Sequence, residues 1–172
     1  MSDEAEFTGF VHAYSAALLR LAYYLTADRG LAEDLLQVTL TKTFLAWHRI
    51  VDRDAVHAYA RRTMVRTATA WWRRKSWHGE QVRDVVPDSA TADRFGEIDE
   101  RTRVLAAVRG LPARQRAVVA LRFLEDYSEA ETARLLGCSP GTVKSHSARA
   151  LKHLRRTLTE PVPMLDLVEE ER

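Results

Sequence analysis

The sequence has a single cysteine, Cys138, in 172 residues. That excludes an intramolecular disulfide framework and a cysteine-rich zinc module. Glycine (7) and proline (5) are scarce, which argues against a β-sandwich with many tight turns. No stretch approaches the ~18 uninterrupted apolar residues of a membrane span. Residues 1–6 carry three acids and no basic apolar run, so no signal peptide is expected. The chain also lacks a Gly-rich phosphate loop, an HExxH and a GxSxG, and its Ser, His and acidic residues show no catalytic spacing. Cys138, His146 and His153 are poor candidates for a shared metal, because the cysteine falls in a turn and the histidines lie seven apart on a helix. These absences predict a cytoplasmic protein that is not an enzyme and needs no cofactor or metal.

What is present is enough to bury a core, with 46% hydrophobic and 29% charged residues. The net charge of +2 conceals a block pattern. Residues 1–78 carry +3, residues 79–100 carry −5, residues 101–158 carry +8 and residues 159–172 carry −4. Two basic bodies, an acidic linker and an acidic tail are therefore expected, the bodies being suited to an anionic partner.

Helical periodicity dominates. In residues 7–25, Phe10, Tyr14, Leu18, Leu21 and Leu25 recur every three or four positions. A second helix is predicted over residues 31–48, with Leu35, Val38, Phe44 and Trp47 at compatible spacing. A third is predicted over residues 55–72, with Val56, Tyr59, Thr63, Arg66 and Ala70 along one stripe. Between residues 76 and 99 the periodicity fails amid Gly, Pro and acids, as in a flexible linker. It returns at residues 100–109, and the next helix carries Val118, Val119, Leu121 and Phe123. No alternating apolar pattern indicates a strand. The expected fold is all-α, with two small helical domains joined by an acidic linker at residues 79–99 and followed by a tail at residues 159–172.

The sharpest signal is SEAETARLL, then Gly137-Cys138-Ser139, then PGTVKSHSARALKHLRR. Ser128 and Glu131 have capping-box spacing. Ala133 is small enough to let a second helix cross closely, and Gly137 can take the positive φ that a tight turn needs. Ser139 caps the second helix and Pro140 starts it. Val143, Ala150 and Leu154 face inward, leaving Thr142, Lys144, Ser145, Arg149 and Lys152 largely outside. Residues 138–158 hold five Lys or Arg, two His and no acid. This is a helix-turn-helix whose second helix can enter a major groove while its cations meet phosphates.

Residues 57–78 read HAYARRTMVRTATAWWRRKSWH, with six basic residues, four aromatics and no acid. Cations can track a phosphate backbone while exposed aromatics stack on unpaired bases. Adjacent helical residues point about 100° apart, so at most one of Trp71 and Trp72 should be fully buried.

Together these blocks resemble the extracytoplasmic-function (ECF) sigma factors of bacterial RNA polymerase, in the paired-Trp form seen among actinobacterial members. AEDLLQVTLTKTFLAW (32–47) is similar to the family's polymerase-binding helix. AYARRTMVRTATAWWRRKSW (58–77) is similar to the helix that opens and reads the −10 element. LPARQRAVVALRFLEDYSEAETARLLGCSPGTVKSHSARALKHLR (111–155) resembles the −35-reading domain. Val38 stands where the family usually has Glu, Arg66 where Asn is common, and Thr132 where an aliphatic residue is usual.

The resemblance implies that residues 1–78 bind core polymerase and the −10 element, and that residues 100–158 read the −35 element. It implies polymerase contacts by Asp34, Gln37, Thr41 and Phe44, and −10 contacts by Arg61, Arg62, Arg66, Trp71, Trp72, Arg73, Arg74 and Lys75. It implies −35 contacts by Thr142, Lys144, Ser145, Arg149 and Lys152. Residues 48–54 occupy the place where the family holds a flipped-out base. Core RNA polymerase and promoter DNA are the implied partners, with nucleoid association when polymerase-bound, and an anti-sigma factor is left open as a third. The tail, with Met164, Leu165, Leu167 and Val168 among acids, is either a solvated terminus or a brake folded onto the basic helices. The alternative reading is a helix-turn-helix regulator that binds duplex DNA without polymerase; it requires neither the acid-free aromatic helix nor the Asp34/Gln37 helix.

Overall fold

The computed structural model describes residues 3–77 and 100–159; the side chains of residues 75–77 and 100–102 and the expected linker and tail lie outside the described residues. Seven α-helices and no strands occur among them: α1 (Asp3–Thr26), α2 (Arg29–Leu45), α3 (Val56–Trp77), α4 (Glu100–Arg109), α5 (Ala113–Val119), α6 (Glu129–Leu136) and α7 (Pro140–Thr159).

The first three helices pack on one another. Between α1 and α2 the chain reverses over Ala27, at φ 58, and Asp28, whose side chain accepts from the Leu31 backbone N–H at 2.7 Å. Phe10, Leu18, Leu21, Ala22 and Leu25 of α1 meet Ala32 and Leu35 of α2, Trp47, and Val56, Ala60, Met64, Val65 and Ala68 of α3. Buried Thr39, Thr43 and Thr69 turn their hydroxyls onto carbonyls four residues back, at 2.7–2.8 Å, so these three buried donors are satisfied.

The predicted helices are found with shifted ends. The second stops at Leu45, and the third begins at Val56 and continues to Trp77. The stripe proposed for the third helix is not its core face. Val56 is buried, but Tyr59, Arg66 and Ala70 are exposed, and Met64, Val65 and Ala68 do the packing. A cation is cheap on a solvated stripe and costly in a core, so Arg66 marks the outer face.

Residues 47–55 form two short 3-10 turns, Trp47–Arg49 and Arg53–Ala55. Arg53 holds them together. Its Nη1 donates to the Trp47 and Ile50 carbonyls at 2.8 and 2.9 Å, it pairs with Asp3 and Glu6, and its guanidinium lies 4.7 Å from the Trp47 ring centroid. Arg53 is thus a fixed part of the loop, while Val51 beside it is 94% exposed.

In the second body, α5 runs into a π-helical turn, Ala120–Leu124, where the Glu125 N–H donates to the Ala120 carbonyl. Val108, Leu111, Val119 and Ala150 form one small core; Val118, Ala133 and Val143 form another. Such small cores are incomplete alone. Ala117, Ala120 and Leu121 instead join the main cluster of the first three helices, so the two bodies share one core. Buried Arg116 ties them, donating to the Leu111 carbonyl at 2.7 Å and to the Leu25 carbonyl of α1 at 3.4 Å. Arg61 of α3 pairs with Glu125, and Arg109 lies over the Tyr23 ring at 5.3 Å.

Candidate nucleic-acid interface

The helix-turn-helix forms as its sequence requires. Ser128 and Glu131 make the reciprocal capping box, and the Glu131 carboxyl is held below its ordinary range by the Ser128 side chain and then its backbone N–H. Gly137 sits at φ 66, and Cys138 N–H reaches back to the Ala133 carbonyl at 3.0 Å. Ser139 Oγ accepts from the Thr142 N–H at 3.1 Å, opening α7. Buried Ala133 touches the Val143 cluster, as a close helix crossing demands. Thr132, placed where an aliphatic residue is usual, is fully buried with its hydroxyl unpartnered, a local cost in stability.

On α7, Val143 and Ala150 are buried and Leu154 half-buried, while Lys144, Ser145, Arg149 and Lys152 are exposed on the outer face. None of these three cations pairs with a carboxylate among the described residues. Thr142 differs. It is half-buried and turns toward α3, lining a groove with Thr69, Trp72, Arg73, Arg114, Cys138 and His146. His146 is pushed below its ordinary range, chiefly by burial and then by Arg149 and Arg114.

The basic residues of α3 divide between two faces. Arg61 is drawn to Glu125 and Tyr127 of the second body, and Trp72 and Arg73 line the groove against α6 and α7. Arg66 and Arg74 lie on the open side with Lys42 of α2, and Arg62 is exposed. Both Trp71 and Trp72 are half-buried against the main core, so neither is fully buried and neither ring is free on both faces. The side chain of Lys75 lies outside the described residues. His57, stacked on Tyr14 at 4.3 Å, is lowered by burial and by Arg61, with Glu125 acting oppositely.

Asp34, Gln37, Thr41 and Phe44 all fall on the exposed face of α2, at steps of three and four, with Phe44 45% exposed. Leu45, 66% exposed, extends this strip with a second apolar side chain. Sequence reasoning missed Lys42 and Arg114. Lys42 lies in a helix read for its apolar spacing, and Arg114 borders the groove beside α3 only because the two bodies meet.

Comparison with known proteins agrees with this architecture. The sigma-70 region 2 family matches residues 10–78, and the sigma-70 region 4 family matches residues 101–154. The RNA polymerase sigma-E factor of Streptomyces coelicolor is 39% identical over 158 residues, covering 92% of this chain and 89% of that protein. The ECF RNA polymerase sigma factor SigM of Mycobacterium tuberculosis is 32% identical over 157 residues, covering 91% and 79%. The sigma factor RpoE from Bartonella quintana, solved with the anti-sigma factor NepR, superposes with a TM-score of 0.64 at 25% identity, over 88% of this chain and 96% of that one. With its two sigma-70 regions in order and this likeness along nearly its whole length, the chain belongs to the ECF sigma factors, which direct promoter-specific transcription initiation by bacterial RNA polymerase.

Proposed function

We propose that the chain divides its work between the two bodies as follows. The exposed α2 strip of Asp34, Gln37, Thr41 and Phe44 docks on core polymerase, its apolar ring giving burial and its polar neighbours register. Helix α3 handles the −10 element through Arg61, Arg62, Arg66, Trp71, Trp72, Arg73, Arg74 and Lys75. On α7, Lys144, Ser145, Arg149 and Lys152 face the −35 major groove, with Thr142 at the helix start. The observation that carries the reading is the outer face of α7, acid-free and unpaired behind a capped tight turn.

The shared core has a mechanistic consequence. Arg61 pairs with Glu125 and half-buried Trp72 lines the groove against the second body, so their full use on DNA requires the two bodies to part, whereas Arg73 borders that groove but stays exposed. Polymerase docking at α2 needs no such parting, because its strip is already exposed. Docking therefore need not wait for the bodies to part. The chain performs no catalysis of its own and works in the cytoplasm, on the nucleoid when polymerase-bound; among the described residues no helix is long and apolar enough to cross a membrane. RpoE was captured with an anti-sigma factor, and a protein of that kind belongs among the expected partners of this chain.

The test is transcription from a pool of promoter fragments by core polymerase with and without the purified protein. Specific transcripts that core alone does not make are expected. Absence of a complex with core, together with salt-sensitive binding to one duplex, would overturn the reading in favour of a polymerase-independent regulator.

A further inference from the structure

The joint between the two bodies forms a cleft of about 510 Å³, counted out to its open mouth. Helix α3 supplies one wall with Trp72 and Arg73; α5 and α7 supply the other with Arg114, Thr142 and His146. We propose that this cleft binds a small phosphorylated molecule between the guanidinium groups of Arg73 and Arg114, and that the bound molecule fastens the two bodies together. The site rests on the joint itself and is separate from the contacts assigned to polymerase and promoter.

Charge is the first argument. Arg73 and Arg114 are exposed, neither pairs with a carboxylate among the described residues, and no acid lines the cleft. Like charges brought to one cleft from two bodies repel, and an anion between them reverses that sign. Position is the second. Gly137 has no side chain, and a Cβ built there would stand 2.6 Å from Arg73 Nη2. The guanidinium therefore lies against the turn between α6 and α7, carried from one body onto the other. Below it the floor is apolar: Val118 is buried, Trp72 and Leu136 are half-buried, and buried Thr69 turns its hydroxyl back to the Val65 carbonyl. Ionic contacts over such a floor are screened less than those on an open surface. His146 is held below its ordinary range by burial first and by Arg149 and Arg114 next, so at neutral pH it offers a hydrogen-bonding ring and no third charge.

The two arginines define the ligand. A carboxylate is planar, and one guanidinium fork satisfies both its oxygens. A phosphate monoester carries about −1.5 to −2 charge at pH 7 and three acceptor oxygens pointing in different directions, so it can serve two arginines from opposite walls. The cleft lies within the ~300–1,000 Å³ of small-molecule sites. Because its walls come from α3, α5 and α7, the site exists only while the bodies are joined. A ligand that binds only the joined state favours it roughly tenfold at ten times its Kd. Such a ligand keeps Arg61 and Trp72 against the second body, so parting depends on its concentration.

Cys138, the single cysteine of the chain, is half-buried in the cleft and reports on it. The experiment measures its alkylation by iodoacetamide in the full chain with inorganic phosphate and, separately, with adenosine 5′-monophosphate, sodium chloride holding the ionic strength constant. Slowing that follows a binding curve is expected, roughly tenfold at ten times Kd for a fully covered thiol. Slowing by phosphate identifies the free anion as sufficient; slowing by the ester alone shows that the organic part is also needed. Arg114→Gln and Arg73→Gln should each raise the midpoint roughly tenfold, the worth of one hydrogen bond to a charged group. Arg114→Lys should recover part of that loss, and Arg20→Gln, which removes an exposed cation of α1, should change nothing. Energy transfer between dyes on Arg20→Cys and Arg156→Cys, in a Cys138→Ser protein that also carries Glu125→Gln to loosen the joint, should show a larger high-transfer population with the same ligand. No saturable slowing by either probe, slowing reproduced by sodium chloride, or an unchanged midpoint in both glutamine variants would overturn the site. Saturable slowing with no gain in the high-transfer population would overturn the fastening.

Discussion

The ion pair between Arg61 and Glu125 is where the contact between the two bodies can be weakened most cleanly. Its side chains are 27% and 16% exposed, and Arg61 also lies 5.8 Å from the Tyr127 ring. Exposed pairs are worth about 0–1 kcal/mol, whereas removing one partner of a fully buried pair costs about 3–5 kcal/mol. A pair this far from solvent but not sealed falls between, at about 2 kcal/mol. Glu125→Gln keeps the shape and removes the charge, leaving Arg61 without its counter-ion in the joined state alone. At about 1.4 kcal/mol per tenfold, the balance between joined and parted bodies moves by roughly 30-fold. The shared apolar contacts of Ala117, Ala120 and Leu121, and the Arg116 bond to Leu25, remain, so the substitution loosens the contact without abolishing it.

The assay is single-molecule energy transfer between dyes on Arg20→Cys and Arg156→Cys, both exposed sites, in a Cys138→Ser background. A larger low-transfer population is expected, with tighter binding of a −10 single strand by the free protein. Asp126→Asn is the control, since it removes the same charge one residue away from a side chain that forms no ion pair among the described residues. Its positive φ of 53 suits asparagine as well as aspartate. If Glu125→Gln and Asp126→Asn behave alike, or if energy transfer is unchanged, the pair is not a latch and the reasoning fails.

Three other outcomes are expected. Lys144→Ala with Arg149→Ala should weaken −35 duplex binding and lower its salt slope by about 1.8, two contacts at 0.9 each, while core-polymerase binding stays unchanged; equal loss of both would indicate misfolding or a mistaken role. Ala27→Gly should raise stability by about 0.5–1 kcal/mol in a thermal melt, because Ala27 occupies φ 58 where a Cβ is strained, and a lower melting temperature would contradict that. His57 and His146 are both depressed from the ordinary 6.5 by burial first and neighbouring arginines second, so the unfolded chain takes up protons more readily. Their contribution is therefore complete above 6.5 and is lost as pH falls through the depressed values; the melting temperature should drop between about pH 7.5 and about pH 5.5, and drop less in His57→Gln/His146→Gln.

The helix-turn-helix was legible residue by residue because its determinants are local. A capping box, a small crossing residue and a left-handed glycine act within a few positions of one another, and Ser128, Ala133 and Gly137 each do in the fold what their chemistry requires. Helix α3 was legible as a helix but not as a set of faces. Residues three and four apart share a stripe, yet spacing alone does not say which stripe is inward. Val56 pointed to the stripe of Tyr59, Arg66 and Ala70, whereas the core took Met64, Val65 and Ala68. The roles of Arg116, Arg61 and Glu125 were invisible for a different reason. Each depends on a partner dozens of residues away, and no periodicity encodes that meeting.

Those distant meetings set the logic of the molecule. Helix α3 has a partly covered basic face, where Arg61 and Trp72 meet the second body beside exposed Arg73, and an open one, where Arg66 and Arg74 meet Lys42. Had both been covered, α3 of the free chain would be inert toward DNA. Had both been open, five cations would attract any nucleic acid without reference to polymerase, since phosphate contacts carry no sequence information. Dividing them leaves one cationic face open and keeps Arg61 and Trp72 against the second body until the bodies part. The outer face of α7 stays exposed throughout, so the −35 reading proposed for it is limited by geometry and not by burial. On the proposed division of work, the two bodies can reach separate promoter elements only once Ala117, Ala120 and Leu121 have left the shared core, and the apolar surface then uncovered on α1 and α5 needs a new cover. On the proposed docking of polymerase at the α2 strip, its binding free energy offsets that loss and couples promoter reading to docking.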